Sequence, residues 1–108
     1  MNPATTQLPP PTPGEGDVWA EAIAASEWPL RTFGGRTGRL LLGDMRERRQ
    51  LGIDRYGTPL QRGNGRPAWV DAHQEALDLY AYLFLERAPW WMRWLAVFFA
   101  WAIRRRLP

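Results

Sequence analysis

The sequence predicts an all-α protein: a small helical bundle built on a central helical pair, with a hydrophobic C-terminal helix. Three observations carry that prediction. From Trp69 to Arg87, WVDAHQEALDLYAYLFLER, apolar residues recur at helical spacing. From Arg39 to Leu51, RLLLGDMRERRQL, a charged segment keeps Leu41, Met45 and Leu51 among its apolar positions. After Pro89, residues 90–103 form a 14-residue apolar stretch in which Arg93 is the one charge.

The elements follow in chain order. Residues 1–16, MNPATTQLPPPTPGEG, hold five prolines and almost nothing to bury, so they are expected to be disordered or extended, a leader or spacer. From Asp17 to Trp28 the pattern turns helical. Asp17 is a plausible N-cap, Val18, Ala22 and Ala25 share a face, and Pro29 is expected to end the helix by pushing Trp28 out of the α region. The glycine-rich run Thr32 to Gly38, TFGGRTG, lacks the lysine and preceding strand of a phosphate-binding loop and reads as a flexible connector. Beyond Leu51, Gly52, Gly57, Gly63 and Gly65 with Pro59 and Pro67 impose turns, and place Arg55, Tyr56, Asn64 and Arg66 on loops, where ligand contacts concentrate. The domain organisation expected is a leader over 1–16, a helical domain over 17–88 and a tail helix over 89–108.

Composition narrows the function. A chain of 108 residues is at most one small domain, and a core this small is expected to need oligomerisation, because there is no cysteine for a disulfide or a thiolate metal site. All fourteen basic residues are Arg, for a net charge of +3. Residues 1–30 carry Glu15, Asp17, Glu21 and Glu27 without an Arg, while Arg87, Arg93 and Arg104 to Arg106 lie in the last 22 residues with no acid after Glu86. Basicity so dispersed or terminal, with no helix-turn-helix, zinc-ligand or RNA-binding signature beside it, is not expected to serve nucleic acid. No signal-peptide pattern opens the chain, so the expected location is cytoplasmic, with membrane association left open by the tail.

Two acidic pairs draw attention. At about 100° per residue, Asp71, Glu75 and Asp78 fall with Tyr82 in an arc of roughly 60°. That row is either a solvated edge near a helix start, where acids suit the dipole, or a divalent-metal site, because Mg²⁺ takes hard oxygen ligands. Asp44 and Glu47, three apart and surrounded by Arg46, Arg48 and Arg49, offer the same choice between ion pairs within the helix and a site. His73, the one histidine, lies on the apolar side of its helix and reads as structural.

The segments DMRERRQLGIDRYGTPLQ and NGRPAWVDAHQEALDLYAYL together resemble the small phage and actinobacterial members of the MazG-like, all-α nucleoside triphosphate pyrophosphohydrolase superfamily, over residues 39–86. In that family one helical pair supplies E-x-x-E and a later helix E-x-x-D, which bind Mg²⁺. The later motif stands as Glu75-Ala76-Leu77-Asp78. The earlier one is imperfect, Asp44-Met45-Arg46-Glu47, with Asp in the first position. The resemblance implies Mg²⁺-dependent (or Mn²⁺-dependent) hydrolysis of a nucleoside triphosphate to monophosphate and pyrophosphate. It implies Glu75, Asp78, Glu47 and Asp44 as metal ligands, with Asp71 positioning water. Arg55 and Arg66 are expected on phosphate, Tyr56 on the base and Asn64 among the substrate contacts, from residue type and proximity.

The tail is outside the resemblance. Its 14 apolar residues fall short of the about 20 that span a bilayer. Trp90, Trp91, Trp94 and Trp101 with the closing arginines suit a membrane interface, so residues 90–106 read either as a buried helix or dimer interface or as a reversible membrane contact. The alternative function is therefore a non-catalytic helical protein acting through this tail on a membrane surface or a protein partner.

Overall fold

The computed structural model describes residues 12–108, so the expectation for the leader lies outside them up to residue 11. The chain is all-α: α1 (Val18–Phe33), α2 (Gly35–Tyr56), α3 (Ala68–Leu85) and α4 (Trp90–Arg104). It divides into two compact units that meet in sequence at Arg66 and Pro67, and α1 packs on α2 in the first, α3 on α4 in the second. Among the described residues no helix is long and apolar enough to cross a membrane.

In the first unit Asp17 caps α1 as expected. Its side chain accepts the Ala20 N–H at 2.9 Å and the Arg49 Nε–H at 2.7 Å, so one carboxylate both starts α1 and ties it to α2. The Ala20 bond, aided by Arg49, holds the Asp17 carboxyl below its usual range. A lowered folded-state pKa adds stability that is complete above the unfolded value and is lost as pH falls through the folded one. Asp17→Asn, which keeps a capping oxygen but no charge, should therefore melt below the parent at neutral pH. The gap should close as pH drops below about 4; thermal melts across that range check it, and a pH-independent gap would refute it.

Three expectations for this unit change, one being that Gly52, expected to impose a turn, lies within α2, which continues to Tyr56. α1 does not stop at Trp28 but runs through Pro29 to Phe33, and the glycine run expected as a connector is almost wholly helical. Pro29 forfeits its own N–H bond and crowds the Ala25 carbonyl one turn back, yet the helix continues past it. The Glu27–Arg31 pair, 2.9 Å, bridges that break, and the Gly34 N–H still reaches the Leu30 carbonyl at 2.9 Å. Gly34 alone separates the two helices, and Gly38 is buried so close to Leu30 that an added Cβ would fall on the Leu30 carbonyl. The glycines thus serve close approach at a corner. From it α2 runs back along α1, with Gly38, Leu42, Met45, Arg49, Ile53 and Tyr56 turned inward at helical spacing and Leu42 fully enclosed. Of the apolar positions read in this helix, Met45 is half-buried while Leu41 and Leu51 are exposed, and so is Ala25 on α1. Gly57 ends α2 in the left-handed region, φ 79°, returning its N–H to Ile53.

The chain before α1 lies against the loop after α2. Glu15 and Arg62 exchange both backbone bonds at 2.9 Å, the Thr12 N–H reaches the Asn64 carbonyl, and the Val18 N–H reaches that of Leu60. Arg62 also pairs with Glu21 at 3.0 Å.

The second unit is a hairpin with its side chains arranged unusually for a protein in water. Its seam is made of small residues: Ala76 on α3, Ala96 and Ala100 on α4 are buried, with Ala72, His73, Tyr80, Leu83, Arg93 and Ile103 half-buried around them. Arg93 lays its guanidinium over the Phe84 ring, 4.6 Å from the centroid, and Arg106 lies 5.2 Å from that of Trp69, joining the end of α4 to the start of α3. The turn is a six-residue cap: the Ala88 N–H bonds to Leu83 and the Arg87 N–H to Phe84, with Arg87 at φ 53°. Glycine usually holds that position, and a side chain there costs about 1–2 kcal/mol. Arg87→Gly should accordingly raise the melting temperature of this hairpin by a few degrees; an unchanged or lower value would argue against this cap.

Candidate functional site: the acidic edge of the third helix

α3 begins after Pro67 and carries Asp71 in its first turn, where a carboxylate faces the positive end of the helix dipole. Its inward stripe, centred on Ala76, fixes the outward direction of the rest. Glu75 and Asp78 fall on the exposed side, one turn apart, with Asp71 half-buried on the same edge. The expected row is thus in place along one helix and open to solvent.

Asp44 and Glu47 are likewise exposed, on α2. Two of the three arginines that crowd them in sequence are turned elsewhere. Arg49 is bonded to Asp17 and Arg46 reaches Glu27 at 3.4 Å, so α1 takes the charge that ion pairs within α2 would have used. Among the described residues no ion pair or side-chain hydrogen bond engages Asp44, Glu47, Glu75 or Asp78, whereas Asp17, Glu21 and Glu27 are all paired.

The two acidic pairs belong to different units. Among the described residues no three His, Cys, Asp or Glu side chains gather closely enough to hold a metal ion by themselves. What the geometry offers is a pair of adjacent carboxylates on each of two helices. Mg²⁺ suits such pairs, because it keeps several waters and is commonly held by one or two carboxylates together with substrate phosphates.

Of the residues expected on loops, Arg55 and Tyr56 instead form the last turn of α2, which runs on past Leu51 to Tyr56, and only Asn64 and Arg66 lie on the loop. Arg55 is exposed, and Tyr56 and Arg66 are half-buried and already engaged with neighbours. Asn64 is buried, 7% exposed, and its Oδ1 accepts the Arg66 N–H at 3.0 Å while its carbonyl accepts from Thr12. Its side chain shapes the loop. His73, read as structural, has its Nδ1 buried with no hydrogen-bond partner among the described residues. An open hollow between α1 and α2, walled by Ala20, Ile23, Ala24 and Gln50, has its charged rim of Glu27, Arg46 and Arg49 tied up in ion pairs, which leaves little to grip a charged ligand.

Fold and edge together define a small all-α protein of two helical hairpins with an acidic helix face. Comparison with protein-family models, with curated proteins and with solved structures gives no match to this chain.

Proposed function

We propose that the chain hydrolyses a nucleoside triphosphate to a monophosphate and pyrophosphate with Mg²⁺ as cofactor. The reading rests on the likeness of residues 39–86 to MazG-like enzymes. The observation that carries it is that Glu75, Asp78, Asp44 and Glu47, the carboxylates this likeness gives as metal ligands, are exposed and unpaired among the described residues, while Arg46 and Arg49 beside the α2 pair are bound to Glu27 and Asp17. In this reading Glu75 and Asp78 would hold the metal from α3, and the likeness assigns Asp44 and Glu47 of α2 as further ligands. The metal would supply charge neutralisation on the phosphate oxygens and lower the pKa of the attacking water. Asp71 positions the attacking water and takes its proton. The new bond forms from water oxygen to the α-phosphorus, and the bond to the bridging oxygen breaks, so that pyrophosphate leaves with the bonding electrons. Arg55 and Arg66 are the guanidinium groups assigned to phosphate, Tyr56 is assigned to the base, and Asn64 acts by shaping the loop beside Arg66.

The test is pyrophosphate release from a panel of canonical and modified triphosphates by the full chain, with Mg²⁺ or Mn²⁺. Because a ligand that binds only the folded form raises its stability by mass action, Mg²⁺ with a triphosphate should also raise the melting temperature. Absence of both responses across the panel would end the proposal.

A further inference from the structure

α4 carries a second feature, which does not rest on the hydrolytic reading. Its contact with α3 uses the narrow side built from Ala96 and Ala100. At about 100° per residue, Trp90, Trp101, Trp94, Phe98, Trp91 and Leu95 follow one another around the opposite side. Each is half or more exposed, Trp94 at 70%. In water a helical hairpin turns its large apolar side chains inward and its polar ones outward. In this hairpin the buried residues of the seam are alanines, and α4 keeps its indole and phenyl rings outside, the arrangement of helices that pack in an apolar surrounding.

The polar chemistry selects what that surrounding is. From Trp90 to Arg106 there is no Asp, Glu, Asn, Gln, Ser, Thr, Tyr or His. The four indole N–H groups of α4 and the guanidinium groups of Arg104, Arg105 and Arg106 therefore have no side-chain acceptor along this segment. A second copy docked face to face would bury donors against donors, which is costly. A bilayer surface answers both needs: acyl chains for the rings, ester carbonyls and interfacial water for the indole N–H groups, and anionic headgroups for the arginines. The helix, 15 residues or about 22 Å, is too short for a hydrocarbon core of about 30 Å and so lies along the surface.

We infer that α4 is a membrane-surface element that seats its Trp-rich face at the headgroup boundary of a bilayer containing anionic phospholipid, with Arg104 to Arg106 on the headgroups.

The experiment is flotation of the full chain with phosphatidylcholine vesicles, with and without about a third phosphatidylglycerol, at low and high salt. Binding should favour the anionic vesicles by on the order of tenfold or more, weaken with salt, and move tryptophan emission to shorter wavelength. Trp94→Glu with Phe98→Glu, both on the exposed side, should abolish flotation while far-ultraviolet circular dichroism keeps its helical signal. Arg104→Glu with Arg105→Glu and Arg106→Glu should abolish the preference for anionic lipid. Glu75→Gln should float like the parent, which separates this inference from the hydrolase reading. No flotation with either vesicle, flotation indifferent to both sets of substitutions, or a concentration-dependent dimer abolished by Trp94→Glu without lipid binding would each overturn it.

Discussion

Glu75→Gln is expected to lower pyrophosphate release by on the order of 10²–10³-fold, the usual cost of removing one group that stabilises charge developing in the transition state. The substitution keeps the size and hydrogen-bonding outline of the side chain and removes only its charge. Since Glu75 is exposed and unpaired among the described residues, the melting temperature should hardly move, as is usual for surface positions of this kind. Asp78→Asn should behave alike, and the two together should lose little more than either alone if both hold one ion. Glu86→Gln, an exposed acid beyond the end of α3, is the control that should leave the rate unchanged. Equal rates for the parent and Glu75→Gln would remove α3 from the chemistry even if some hydrolysis were seen.

How much of this was legible in the sequence depends on whether a feature is local. α3 and α4 were, nearly to the residue, because each has a long apolar period and a proline just before it; so was the Asp17 cap. The acidic row was also readable, since spacing along one helix fixes which side chains share an edge. What the sequence concealed is tertiary. Pro29 looked like a stop because local sterics say so, but packing against α2 and the Glu27–Arg31 pair carry the helix across it. TFGGRTG looked flexible because glycine is permissive, whereas Gly38 is needed for close contact with Leu30. The fate of Arg46 and Arg49 could not be read from α2 at all, because their partners, Glu27 and Asp17, lie 19 and 32 positions away. In α4, periodicity located the helix, but with apolar residues all round it could not say that alanines would take the inside and tryptophans the outside.

The same blindness explains why three consecutive leucines, Leu40, Leu41 and Leu42, could not be ranked beforehand, and their substitution separates the alternatives. Leu42→Ala is expected to cost about 2–5 kcal/mol, the range for a buried leucine truncated where its surroundings cannot close over the gap. Leu42 has no exposed surface and is the one large side chain among the described residues so enclosed. Its loss leaves the α1–α2 hairpin with Gly38 and half-buried groups. A folded unit of this size holds only about 0.05–0.15 kcal/mol per residue, so the substitution should unfold much of it at room temperature, lowering far-ultraviolet helicity and exposing α1 to proteolysis. Leu41→Ala, one position away and 43% exposed, should remain folded and melt close to the parent. Gly38→Ala should resemble Leu42→Ala despite adding only a methyl group, because the new Cβ meets the rigid Leu30 backbone and not a side chain able to swing aside. If Leu41→Ala proved the more damaging of the two leucine variants, α2 would have to be rotated by about 100°, one residue step of an α-helix, against α1. The turn of Arg46 and Arg49 toward α1, which leaves Asp44 and Glu47 unpaired among the described residues, would go with it.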